Sequence, residues 1–186
     1  NRIFEGTNEI NRMLIPGMLL KRAMKGEIAL LQAAKALQDE ILNPQLSLDV
    51  DEGLLVNELK LSRNAKKIAL MVLGSAAQKY MQDIQNQQEI LIGCADIIMD
   101  AYSMETACLR AMKIAEHKGE EGASKYVDAA AVFCNDAIQR VEAKAKNTIA
   151  GFADGDDLRM MLAALKRFTK NQSPVNTIEA RRRIAD

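Results

Sequence analysis

A chain of 186 residues with Lys+Arg 25 against Asp+Glu 25 carries no formal net charge, so no basic field draws it to nucleic acid or acidic lipid. Aromatic residues make up 4% with no Trp, which leaves no platform for stacking bases. Helix formers (Ala, Leu, Met, Gln, Lys, Glu) dominate and β-branched runs are missing, so the fold class is all-α, with chain enough for a substantial core.

The first element is a turn feeding a helix. Residues Arg2-Ile3-Phe4-Glu5-Gly6-Thr7-Asn8-Glu9-Ile10 give a short apolar approach, a turn at Gly6 and a helix start. Thr7 is a good N-cap, its hydroxyl accepting from an orphan N–H of the first turn. Ile10, Met13, Leu14 and Met18 then recur at helical spacing over 7–25. Glu5 is thereby held at the mouth of a helix N-terminus, where backbone donors and the positive end of the dipole point outward. The commonest use of such a carboxylate is capping; the same place suits a working base or the neighbour of an anionic cofactor.

Read as RIFEGTNEINR, residues Arg2 to Arg12 resemble the (I/Y/F)-E-G-T-(N/S)-x-I-x-R signature near the end of the catalytic core of acyl-CoA dehydrogenases. The resemblance implies that Glu5 is the catalytic base, removing the α-proton of a fatty acyl-CoA while the β-hydride passes to flavin N5. It implies also that Gly6 lies against the acyl thioester, and Thr7, Asn8 and Glu9 against the cofactor, FAD. Some family members carry the base on another helix, with Gly or Ala at the position of Glu5; a Glu here resembles the majority type. Several members have an Arg five residues beyond the Arg12 position, touching the coenzyme; Gly17 stands there, so that role is not carried over. The chemistry agrees with the assignment. An α-proton beside a thioester is weakly acidic, and burial in an apolar acyl channel raises a carboxylate's pKa toward that of an effective base.

Further along, Pro16-Gly17 predicts a kink or interruption of the first helix. A second helix is expected over 27–42, with Ile28, Leu31, Ala34 and Ile41 near one face and Asn43-Pro44 as its end. In the loop that follows, Asp49, Asp51 and Glu52 read as helix-start charge; they lack the Gly and spaced oxygens of a calcium loop. A long helix over 54–85 carries the stripe Leu61, Ala65, Ile68, Val72, Ala76 and Tyr80, widened by Leu70, Met71 and Leu73. Gly74 there allows close helix approach. The most regular helix, 90–117, repeats Ile90, Cys94, Ile97, Ala101, Met104, Cys108, Ala111 and Ala115 in steps of four and three, the rhythm of antiparallel bundles. His117-Lys118-Gly119 closes it, which makes the chain's one His a cap. A helix over 121–149 follows, with Tyr126, Ala130, Phe133, Ala137 and Val141 inward. Gly151 to Gly155 is a break, and Asp154, Asp156 and Asp157 charge the start of a helix over 157–170 built on Leu158, Met161, Leu162 and Leu165. Beyond Ser173-Pro174, a short helix begins at Thr177-Ile178-Glu179; its Arg181-Arg182-Arg183 run reads as solvated, or as a contact for an acidic partner or lipid headgroups.

The three cysteines predict a reducing compartment, cytoplasm or an organelle matrix. Cys94 and Cys108 share a helix face about 21 Å apart and cannot bridge, and Cys134 meets either only through the tertiary fold. No C-x-x-C or His cluster argues for zinc, and no run approaches the roughly 20 apolar residues of a spanning helix. The expected organisation is 1–26 as the end of a catalytic core, 27–52 as a connecting helix and loop, 53–170 as an antiparallel bundle and 171–186 as a tail. A start inside the motif implies a fragment of a longer protein, inactive alone. The length and helical character beyond the motif resemble the C-terminal extension of very-long-chain acyl-CoA dehydrogenases. That likeness implies electron-transferring flavoprotein as redox partner and homo-oligomer packing for the extension. Two other readings stay open: a stand-alone helical interaction module, and membrane-surface association through the apolar run 65–77 beside Lys66-Lys67.

Overall fold

The computed structural model describes residues 8–43 and 53–186, and all regular structure among them is helical. The elements are α1 (Asn8–Met24), α2 (Leu30–Leu42), α3 (Val56–Tyr80), a 3-10 segment (Met81–Asn86), α4 (Gln88–Ala150), α5 (Gly155–Phe168) and α6 (Thr177–Ala185). The acids Asp49, Asp51 and Glu52 lie outside the described residues.

Although α4 is 63 residues long, it is not one rod. Gly119, at φ 73° and ψ 167°, breaks it into arms 88–118 and 120–150. Only a residue without Cβ takes such a φ without strain, so the expected stop after His117-Lys118 is where the chain reverses. The arms run antiparallel, as the pairs Asp96–Lys144, Asp100–Arg140 and Cys108–Cys134 show. α3 lies along this hairpin; α5 closes over both, α1 and α6 rest on α4, and α2 rests on α3.

The core follows the stripes read from the sequence. Leu61, Ala65, Ile68, Val72 and Ala76 of α3 are buried, as are Met71 and Leu73. The apolar run 65–77 thus lies inside the bundle, while its flanking lysines turn outward: Lys66 pairs with Glu105, and Lys67 with Glu40 at 2.7 Å. On the first arm of α4, Ile90, Cys94, Ile97, Ala101, Met104, Cys108 and Ala111 are all buried, and Ala115 is partly so.

Five expectations need correction; the second helix, for one, begins at Leu30 rather than at 27. α1 runs unbroken through Pro16, which is fully buried; proline's fixed φ is itself helical, and its ring is taken up by the bundle. The long helix ends at Tyr80 rather than 85, because Met81 takes φ 48° and opens a 3-10 segment. On the second arm Tyr126 points to solvent (46% exposed), and Phe133 is only partly buried; Ala123, Ala130, Cys134, Ala137, Val141 and Ala145 form the seam instead. Two closely spaced arms accept small side chains, and the aromatics are displaced to the rim, where Lys118 sits 5.7 Å over Tyr126 and Arg140 sits 5.5 Å over Phe133. Finally, the arginine run is not simply solvated. Arg181 pairs with Asp136 at 2.6 Å, and Arg183 makes a two-pronged pair with Asp128 at 2.6 and 2.7 Å, so the acidic surface it meets belongs to α4.

The base of the hairpin shows how close the arms come. A methyl at Gly93 would overlap the Thr148 hydroxyl and stand 3.1 Å from its Cγ2. Thr148 is held there by a 2.9 Å hydrogen bond to the Lys144 carbonyl. Gly93→Ala gains about 1 kcal/mol of helix propensity. Overpacking costs about 1–3 kcal/mol and should prevail. Thermal unfolding should show a net loss for Gly93→Ala that Thr148→Ala relieves, so that the double variant is more stable than the sum of the two singles. By contrast, Gly74 faces the Ala34 methyl at an ordinary 3.5 Å, a close approach that a methyl would still fit.

Candidate functional site

Glu5, Gly6 and Thr7 lie outside the described residues. Asn8 and Glu9 are the first two residues of α1, and Arg12, the last residue of the motif, stands one turn further on. Glu9 and Ile10 are exposed. The N-terminal end of a helix carries the positive end of its dipole, which favours polar or anionic groups nearby.

Arg12 ties this first turn to the hairpin. Its Nε donates to Asp96 Oδ1 at 2.6 Å, and its Nη1 donates to the Asn8 carbonyl at 3.4 Å. The second Asp96 oxygen accepts from Lys144 Nζ at 2.9 Å. One carboxylate therefore joins three parts of the architecture: the motif helix and both arms of the hairpin. Arg12 and Asp96 are each only 21% exposed in their side chains, so the pair is partly desolvated. Burial pushes the Asp96 carboxyl upward, but the hydrogen bonds and charges of Arg12 and Lys144 outweigh it and hold the group below the usual carboxylate range.

Neither Asp96 nor Lys144 stands out in the sequence. Their signal is a charge pattern legible only once the reversal at Gly119 is known. Asp96 and Asp100 lie one turn apart on the first arm, and Arg140 and Lys144 lie one turn apart on the facing arm.

The remaining chemistry-bearing groups have structural settings. Cys94, Cys108 and Cys134 are buried thiols, with Cys94 pushed up to about 12 by burial. The tertiary fold brings Cys134 Sγ to 3.6 Å from Cys108 Sγ, a contact between thiols in the seam between the arms. Asp154 occupies the N-cap position of α5 without a cap hydrogen bond, and Asp156 pairs with Arg159 at 2.9 Å. Among the described residues no cluster of His, Cys, Asp and Glu could hold a metal ion, and no helix is long and apolar enough to cross a membrane. An apolar recess of about 230 Å³ opens between α1, α2, α3 and the first arm of α4, walled by Leu19, Leu30, Leu73 and Ile98. Among the described residues its charged lining is the mutually paired Lys66 and Glu105, with no unpaired cation for a phosphate or carboxylate.

Comparison with known proteins adds the context of these features. The family model described as "Acyl-CoA dehydrogenase, C-terminal domain" matches residues 64–167. Over its whole length the chain is 43% identical to a probable acyl-CoA dehydrogenase of Bacillus subtilis (strain 168), of which it covers 31%. It matches the crystal structure of an acyl-CoA dehydrogenase complexed with FAD from Bacillus anthracis with a TM-score of 0.93 and 46% identity, covering 99% of this chain and 31% of that one. The chain therefore spans about a third of the length of these relatives.

Proposed function

The chain belongs to the acyl-CoA dehydrogenase family, and from that premise we propose that it is the C-terminal part of an enzyme that oxidises fatty acyl-CoA to trans-2-enoyl-CoA in fatty acid β-oxidation. The observation that carries this reading is the conjunction of the E-G-T sequence at Glu5-Gly6-Thr7 with the family match over 64–167. In this proposal FAD, when bound, supplies the hydride acceptor. The chain's own contribution begins with Glu5, which takes the α-proton. Gly6, without a side chain, lets the acyl thioester approach the backbone. Thr7, Asn8 and Glu9 line the flavin side at the donor end of α1.

One base and a few cofactor contacts do not make a flavin pocket, so the fragment alone is proposed to be inactive and to bind no flavin. We assign 1–26 to the end of the catalytic core, 27–52 to a connection, 53–170 to the helical extension and 171–186 to a tail. Among family members the very-long-chain type is the one this organisation resembles. Subunit packing in a homo-oligomer is the role proposed for the extension, electron-transferring flavoprotein the redox partner, and a reducing compartment (cytoplasm or matrix) the location. Three buried thiols support the last.

The test is the full-length protein. Purified, it should carry a yellow cofactor and convert acyl-CoA to enoyl-CoA with an electron acceptor present, and a panel of chain lengths should reveal which acyl groups it prefers. A flavin-free product that forms no enoyl thioester from any member of the panel would refute the reading.

A further inference from the structure

In the stretch of α1 before Pro16 no side chain is buried: Glu9, Ile10, Asn11 and Leu14 are exposed, and Asn8, Arg12, Met13 and Ile15 are partly so. Apolar packing there is thin, and apolar contacts are non-directional, so they leave a helix end free to slide or roll. The Arg12–Asp96 bond supplies what is missing. A 2.6 Å charge-assisted hydrogen bond from Nε ties the Arg12 face of α1 to the hairpin. Its acceptor is itself fixed, because Lys144 on the second arm holds the other carboxylate oxygen. Isolated surface ion pairs contribute little, but this one is partly buried, short and part of a three-member network.

We propose that Asp96 is a positioning residue for catalysis: through Arg12 it sets the placement of the first turn of α1 and hence of Glu5, Gly6 and Thr7, which directly precede it in sequence. This rests on the assignment of Glu5 as base. It gives the C-terminal hairpin a part in the reaction, because the carboxylate that orients the motif lies 84 residues away on α4. The energetic logic is that of near-attack geometry. A base must be held in reach of the proton it removes, and displacement by about 1 Å costs on the order of 100-fold in rate.

The experiment uses the full-length holoenzyme and the variants Asp96→Asn and Asp100→Asn. Asp100 is the control, since its pair with Arg140 ties the same two arms one turn away and is not part of the Arg12 contact. For Asp96→Asn, kcat should fall by about 10- to 100-fold with KM for acyl-CoA changed by less than about threefold and flavin content intact. Amide exchange followed by mass spectrometry should quicken in the peptide covering 8–14 and stay unchanged over 88–118. Asp100→Asn should alter neither. An Asp96→Asn enzyme with wild-type kcat overturns the proposal. So does a loss of activity accompanied by faster exchange throughout the hairpin, which would make Asp96 a stability residue only. If wild-type protein gives no turnover, or Glu5→Gln retains it, the reading of function fails instead. Exchange at 8–14 then decides separately whether Asp96 orders the turn, and unchanged exchange there overturns that too.

Discussion

Replacing Glu5 by Gln in the full-length enzyme is expected to leave FAD bound and to abolish turnover. The amide keeps the size and hydrogen-bonding reach of the carboxylate but has no basic oxygen to take the α-proton. Positioned general bases contribute on the order of 10²–10⁴-fold, so the residual rate should fall at least into that range. Flavin absorbance per protomer, measured beside steady-state turnover, separates this outcome from loss of cofactor. Retained turnover would put the base elsewhere in the chain, as in those family members that carry it on another helix. Glu5→Asp should recover part of the activity, because it restores the basicity while withdrawing it by one methylene. A purely structural carboxylate at the mouth of α1 would behave otherwise. Losing a capping interaction costs about 1 kcal/mol of stability, and Gln in its place would leave kcat intact.

How much of this was legible in the sequence depends on the range of the interaction. Periodicity located the helices and most of the core, since burying one stripe per helix is a local decision. The stripe Leu61, Ala65, Ile68, Val72, Ala76 and Tyr80 needed no knowledge of its partner; the first five are buried and Tyr80 is partly so. The second arm of α4 was harder, because hydrophobicity favoured Tyr126 and Phe133 for positions that the spacing between arms reserves for Ala and Cys. What decides there is volume, set by the facing helix with its Cys94, Ala101, Cys108 and Ala111. Long-range charge pairs were illegible for the same reason. Arg12–Asp96 spans 84 residues, and Arg183–Asp128 spans 55, so neither partner marks the other until the chain has reversed at Gly119 and the tail has returned. The candidate site divides along this line. The chemistry proposed for it is written in a contiguous motif, and the Arg12–Asp96–Lys144 network beside it is written across the fold.

Truncating Ile97 to Ala should unfold the chain at a markedly lower temperature, although the change improves local helix propensity. Ile97 lies on the buried face of the first arm of α4 and has no exposed surface. Ala exceeds Ile in intrinsic helix preference by a few tenths of a kcal/mol. Removing three buried carbons forfeits their transfer free energy and leaves a cavity, about 2–5 kcal/mol together. The packing loss is several times the propensity gain, so the sign is settled by burial. In a chain of this length it corresponds to a fall in the thermal midpoint on the order of 10 °C. Leu109→Ala on the same arm supplies the contrast. Leu109 is 55% exposed, and there the propensity and burial contributions are both small, so its midpoint should move by no more than a few degrees. Ile97→Val should fall between, at about 0.5–1.5 kcal/mol. If Ile97→Ala and Leu109→Ala shifted the midpoint equally, the seam between the arms would not be where this bundle derives its stability. The hairpin would then be a poor candidate for fixing the orientation of α1 through Asp96, which sits one residue before Ile97 and is only as rigid as the arm that carries it.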